Sequence, residues 1–211
     1  MSTHVVLLPV KPPARGKSRL TVFSGLPDEV RRRLAEAFAL DTAEACLSAS
    51  SVGAVLVVTD DAGFSARLQA LGCAAIPDGV SDDLNATLVQ AAAEARRRWP
   101  DLVPVALTGD LPALRAADLD AALASVPAGS PAYVSDAEGV GTTLYTADAA
   151  RFDPHFGEGS SRAHESAGAR AVAGELASLR RDVDSVADLN HAITLGLGPR
   201  TAAVVEGLAL S

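Results

Sequence analysis

At 211 residues and 21.5 kDa, with 48% apolar and 21% charged side chains, the chain has material for one large buried core and is too hydrophobic to be disordered. Eighteen basic against twenty-six acidic side chains give a net charge of -8 and a pI near 4.9, which argues against a nucleic-acid-coating surface. Any anionic ligand must then be met by local positive charge. The N-terminal stretch carries neither a basic n-region nor the ~20 apolar residues of a membrane span, so a soluble, cytoplasmic protein is expected.

Short β-branched or apolar runs alternate with longer Ala/Leu/Arg-rich segments of helical period, the pattern of a single α/β domain over 1–211 with a mainly parallel sheet. His4 to Val10 reads as the first strand. Pro27 to Ala49 reads as a helix with Val30, Leu34, Ala37 and Phe38 on one face. Val52 to Thr59 is a second strand, followed by a short helix to Leu71 closed by Gly72, and Cys73 to Ile76 is a third strand. Asp82 to Trp99 is helical, and Leu102 to Thr108 is an apolar strand ending in Gly109 and Asp110. After a helix over Ala116 to Ser125 the pattern changes: Pro131 to Thr146 reads as two short extended runs joined by a turn at Asp136 to Gly141, a hairpin rather than a βα unit. A Gly/Ser loop leads into another helix, Leu179 to Asp184 reads as a late strand, and helices over Val186 to Leu195 and Thr201 to Leu208 close the chain. Cys46 and Cys73 show no CxxC or Cys/His spacing and read as reduced packing residues.

Of the 18 basic residues, 16 are arginine, and both lysines, Lys11 and Lys17, lie in the loop after the first strand. A compact ammonium on a flexible stem suits phosphate chemistry, although a solvated loop also uses lysine. Gly16-Lys17-Ser18 is not a Walker A motif, because the position that requires glycine is Lys11 and two prolines follow it. What remains is a loop carrying Lys11, Arg15, Lys17 and Arg19 at the carboxyl end of a strand, where doubly wound sheets bind ligands. In TGDLPAL, Asp110 stands at the carboxyl end of an apolar strand, placed to join a magnesium site or merely to cap a turn before Pro112. Asp182 and Asp184 lie two apart, so in a strand both face the same side and repel unless a cation lies between them. Ser185 and Asp188 have the spacing of a capping box, which leaves open whether Asp182 or Asp184 is the direct ligand. Phe156 to Ser161, FGEGSS, has glycines that free backbone amides and hydroxyls that add donors, and Thr142 and Thr143 supply further hydroxyls. These groups suggest two anion sites around a divalent ion. His155 and His164, without a nucleophile at recognisable spacing, read as surface or orienting residues, and no GxSxG, HExxH or reactive-cysteine signature occurs.

The ordered set PVKPPARGKSRL, SDDLNATL, TGDLPAL, GVGTTLY, FGEGSSRAH and RDVDSVADL resembles the guanylyltransferases of coenzyme F-420 biosynthesis over nearly the whole chain. The resemblance implies a Rossmann-like three-layer nucleotidyltransferase fold of the glycosyltransferase-A type, a mainly parallel sheet with an inserted β-hairpin. It implies GTP and a phosphorylated three-carbon acid as substrates: phosphoenolpyruvate in actinobacterial members, 2-phospho-L-lactate in archaeal ones, with 3-phosphoglycerate a further alternative. The Arg- and Ala-rich composition leans to phosphoenolpyruvate. Carried over by position, Asp110, Asp182 and Asp184 hold Mg2+, with Asp110 and Lys17 catalytic. Thr142, Gly157 and Ser160 contact the phospho-acid. Lys11, Lys17 and Arg19 face the nucleotide phosphates, and Asn85 helps hold the nucleotide. The glycine-rich opening loop of related nucleotidyltransferases is replaced here by prolines and lysines. A molybdenum-cofactor or sugar-phosphate nucleotidyltransferase, or a non-catalytic nucleotide-binding module, would share the same crevice. The downstream transferase of the pathway and a second copy of the chain are the protein partners for which the resemblance leaves room.

Overall fold

The computed structural model describes residues 3–10, 26–80 and 83–209. Its strands are β1 (His4–Pro9), β2 (Val52–Val58), β3 (Ala74–Ile76), β4 (Val103–Leu107), β5 (Ala132–Ser135), β6 (Thr142–Thr146) and β7 (Arg170–Ala171). Its helices are α1 (Asp28–Ser48), α2 (Ala62–Ala70), α3 (Leu84–Arg98), α4 (Ala116–Ala124), α5 (Ser160–Ser166), α6 (Ala177–Arg180), α7 (Val186–Leu195) and α8 (Pro199–Ala209).

The strands form one seven-stranded sheet in the order β3-β2-β1-β4-β6-β5-β7. β3, β2, β1 and β4 run parallel, β6 pairs antiparallel with both β4 and β5, and the short β7 lies parallel to β5. The expected hairpin is therefore β5–β6, inserted so that its second strand pairs with β4.

β1 sits centrally, and its alternating side chains feed opposite faces. Val6 and Leu8 pack with α1 residues such as Leu40 and Ala43, while Val5 and Leu7 pack with Leu88, Ala91 and Ala95 of α3. Burial on both faces explains why this strand reads as an uninterrupted apolar run. A third cluster, Leu34 and Phe38 of α1 with Ala113, Val183, Leu189 and Ala192, seats the C-terminal helices beside α1. Cys46 and Cys73 are free and buried in the core, and burial pushes the Cys73 thiol up to about 11, so both serve packing.

Local signals set the helix starts. Asp61 accepts from the Phe64 amide, Asp83 from Ala86 and Ser185 from Asp188, while α1 begins after Pro27 with Asp28 and Glu29 in its first turn. The capping box expected at Ser185 and Asp188 is present, and Ser185 rather than Asp184 is the cap.

One expected element is wrong. Leu179 to Asp184 is not a strand: the helix α6 ends at Arg180 and an irregular stretch follows. Side-chain anchors hold the helical turn against the sheet. Asp118 of α4 accepts from the amide and hydroxyl of Ser178, and the Arg180 guanidinium donates to the Ser135 carbonyl and hydroxyl and to the Val172 carbonyl. Asp182 and Asp184 are accordingly not neighbours on one side of a strand. Among the described residues no helix is long and apolar enough to cross a membrane.

Candidate active site

Asp110 follows β4 through Thr108 and Gly109, and buried Thr42 of α1 fixes this turn. The Thr42 hydroxyl donates to the Phe38 carbonyl at 2.8 Å and accepts from the Leu111 amide at 3.2 Å. The carbonyl of Asp110 accepts from the Val183 amide at 3.0 Å. Val183 is itself buried in the cluster between α1 and the C-terminal helices, so Asp182 and Asp184, on either side of it, are carried to Asp110.

The electrostatics report this gathering. Burial first, then the charges of Asp110, Asp184 and Asp136, push the Asp182 carboxyl up to about 8. Asp136 belongs to the hairpin turn, where its side chain accepts from the Val140 amide at 2.9 Å and the Gly141 amide at 2.6 Å. It was legible as a turn residue but not as a third carboxylate beside Asp182. Arg181 bridges Glu138 and Asp188 at 2.8 and 3.0 Å.

Among the described residues no three or more Asp, Glu, His or Cys side chains stand together as a group that could hold a metal ion. The donor chemistry nevertheless fits magnesium. Carboxylate oxygens are the ligands it prefers, it is usually held by one or two of them with substrate phosphates, and a carboxyl driven up by burial and by neighbouring carboxylates is relieved by a cation.

The second group lies one turn of backbone away. Gly141 ties Asp136 to Thr142, and the Ser161 amide donates to the Val140 carbonyl at 3.1 Å while its hydroxyl donates to the Gly141 carbonyl. The start of α5 therefore docks on the tip of the hairpin. Ser160 is buried, its amide donates to the Gly157 carbonyl at 3.2 Å, and Gly157 has φ 140°, a conformation that excludes side chains with a Cβ. The Thr142 hydroxyl lies 3.1 Å from Nδ1 of His164. Since the Thr108 amide donates to the Thr143 carbonyl at 3.0 Å, the end of β4 that leads to Asp110 lies against the start of β6 that carries Thr142. The three aspartates and the Thr142, Gly157 and Ser160 group thus meet at one end of the sheet, around the hairpin turn.

Asn85, at the start of α3, is tied to the loop before α5. Its Oδ1 accepts from the Phe156 amide at 2.8 Å and its Nδ2 donates to the Phe156 carbonyl at 3.0 Å, which fixes the residue before Gly157. His164 is fully buried, not a surface residue. Lys11, Arg15, Lys17 and Arg19 lie outside the described residues. β1, which precedes them in the chain, lies beside β4, whose end leads to Asp110.

No family model matches the chain. It is 47% identical over 204 residues to the phosphoenolpyruvate guanylyltransferase of Thermomonospora curvata, covering 96% of this chain and 88% of that protein. The chain belongs to the phosphoenolpyruvate guanylyltransferase family. Members from Geodermatophilus obscurus and Streptomyces coelicolor are each 42% identical, covering 97% and 98% of this chain and 94% and 97% of theirs. The fold agrees with this family. A protein from Desulfovibrio desulfuricans assigned as a nucleotide-diphospho-sugar transferase superposes with TM-score 0.71 at 18% identity, over 100% of this chain and 97% of that one. A nucleotidyl transferase from Methanothermobacter thermautotroptrophicus superposes with TM-score 0.62 at 15% identity, over 92% and 99%. The Rossmann-like nucleotidyltransferase architecture expected from the motifs is therefore the one observed.

Proposed function

We propose that the protein transfers GMP from GTP to phosphoenolpyruvate, giving enolpyruvoyl-2-diphospho-5'-guanosine and pyrophosphate as a step towards coenzyme F-420. The observation that carries this reading is the 42–47% identity, over nearly the whole chain, to relatives of that name. The carboxylate group around Asp182, beside a hydroxyl-lined turn, supports it by offering the two sides of one reaction centre.

An oxygen of the acceptor phosphate attacks the α-phosphorus of GTP. A P–O bond forms, the bond from that phosphorus to the β-phosphate oxygen breaks, and the electron pair leaves on pyrophosphate. The acceptor phosphate is already deprotonated at neutral pH, so no general base is required. The barrier lies in bringing two anions into line, and positioning with charge neutralisation is what the chain must supply. In this reading Thr142, Gly157 and Ser160 contact the phospho-acid, Lys11, Lys17 and Arg19 face the nucleotide phosphates, and Lys17 neutralises the departing pyrophosphate. Asp110, with Asp182 and Asp184, would hold magnesium. When bound, magnesium neutralises and aligns the phosphates at the reacting centre.

The test is a side-by-side assay of GTP and CTP against phosphoenolpyruvate, 2-phospho-L-lactate and 3-phosphoglycerate, following pyrophosphate and weighing the nucleotide adduct. GTP with phosphoenolpyruvate is expected to give the fastest release and the matching mass. A faster reaction with CTP or with another acid would overturn the substrate assignment, and GTP binding without turnover for any acid would overturn the activity.

A further inference from the structure

The one buried histidine among the described residues touches every segment of the proposed acceptor site. Nε2 of His164 accepts from the backbone amide of His155 at 2.9 Å. A backbone amide only donates, so in the neutral ring the proton must sit on Nδ1. Nδ1 faces the Thr142 hydroxyl at 3.1 Å, and Ser160 stands four residues before the ring at the start of the same helix, α5. An Nδ1–H leaves Thr142 Oγ1 as acceptor on that side, so the hydroxyl's own hydrogen is directed elsewhere, available to an anion.

The ring has little freedom to change this arrangement. It stacks on Tyr145 with centroids 4.7 Å apart and planes 21° from parallel, and on Tyr133 at 5.8 Å and 20°. Those tyrosines are cross-strand partners on β5 and β6, and Phe156 meets the ring edge-on at 5.4 Å. Burial lowers the imidazole to about 4, so the neutral form persists at neutral pH.

We infer that His164 is a positioning residue for the acceptor: it locks the Thr142 hydroxyl as a donor and ties the Thr142, His155–Gly157 and Ser160 segments into one phospho-acid site. This rests on the reading that Thr142, Gly157 and Ser160 contact the phospho-acid. Among the described residues the polar contacts of the ring are with the acceptor segments, so its loss should weaken the acceptor selectively.

Three substitutions separate its two nitrogens. His164→Asn keeps an amide N–H near the Nδ1 position, His164→Gln keeps an oxygen near the Nε2 position, and His164→Phe keeps only the stacked ring. Steady-state KM for phosphoenolpyruvate and for GTP is measured for each, with Thr142→Val and the Thr142→Val/His164→Phe pair alongside. The Phe and Gln variants are expected to raise KM for the acid at least about tenfold, the loss of one hydrogen bond to a charged group, with KM for GTP within about twofold. The Asn variant should recover most of that loss, and the double variant should be no worse than Thr142→Val alone.

Equal rises in both KM values, or a fall in melting temperature with unchanged KM values, would make His164 a packing residue and overturn the inference. If the Phe variant fails to fold, the Asn and Gln pair still decides: equal acceptor KM in the two overturns it. Thr142→Val with an unaltered acceptor KM would instead remove the reading of the site on which the inference rests. An effect of Thr142→Val with none from His164 substitution leaves that reading intact and removes only the role of His164.

Discussion

Asp182→Asn should make the magnesium-free protein more stable, not less. The folded chain raises this carboxyl from 3.8 to about 8, through burial and the neighbouring Asp110, Asp184 and Asp136 charges. In the unfolded chain it titrates near 3.8. Between those values the native state holds a proton that the unfolded state releases, so stability falls as pH rises from about 4 through about 8 and levels off above. At about 1.4 kcal/mol per pKa unit, the acid costs the native state roughly 4 kcal/mol at pH 7. An amide of the same shape carries no such linkage. Allowing for its own desolvation, a net gain of about 2–3 kcal/mol is expected at pH 7, about 4–12 °C in a chain of this size. Thermal unfolding of both proteins in chelator, from pH 4 to pH 8.5, reads it directly: the curves should coincide near pH 4 and separate steadily above. Magnesium should then raise the melting temperature of the wild type more than that of the variant. A difference that does not grow with pH would refute the claim that the carboxylates crowd one another, and equal responses to magnesium would refute the assignment of Asp182 as its ligand.

Asp110→Asn should abolish pyrophosphate release while leaving the melting temperature within a few degrees, since the carbonyl that holds Val183 is untouched; near-normal release in a magnesium assay would refute its catalytic assignment. Asn85→Ala leaves the Phe156 amide and carbonyl without their partners, so KM for the phospho-acid should rise by roughly 5-fold or more with little change for GTP. A selective rise for GTP would return Asn85 to the nucleotide. Leu144→Ala, in β6 with no exposure to solvent, should cost about 2–5 kcal/mol in denaturant unfolding. A cost below about 1 kcal/mol would mean that the hairpin is not packed into the core as described.

How much of this was legible beforehand depends on how far each residue's environment reaches along the chain. β1, β2 and β4 were legible because burial on both faces writes itself as a continuous apolar run, and Asp110 because it closes such a run. The tie from Asn85 to Phe156 was not, since the two lie 71 residues apart. The burial of His164 was not legible because it is made by Tyr133 and Tyr145 on β5 and β6, and nothing in the local pattern marks a helix of 7 residues as an interior one. The late strand failed for a related reason. Leu179 and Val183 are both buried, but four residues apart and in different clusters, Leu179 under the sheet and Val183 beneath α7.

The error at Leu179 to Asp184 bears on how the site is built. Had the segment been a strand, the two-residue spacing of Asp182 and Asp184 would have placed both carboxylates on one side of the sheet. Instead, the spacing works through the residue between them: Val183 is inserted into the apolar cluster against α1 and bonds the Asp110 carbonyl with its amide, and the flanking aspartates follow. The charge repulsion that, after burial, raises Asp182 pushes against a packed side chain and a backbone hydrogen bond. On this argument the position to perturb is Val183. Val183→Ala should loosen both aspartates together, lowering magnesium affinity measured by calorimetry, whereas removal of either carboxylate alone leaves the other anchored. Unchanged magnesium affinity in a folded Val183→Ala protein would show that the aspartates are held by something other than the residue between them.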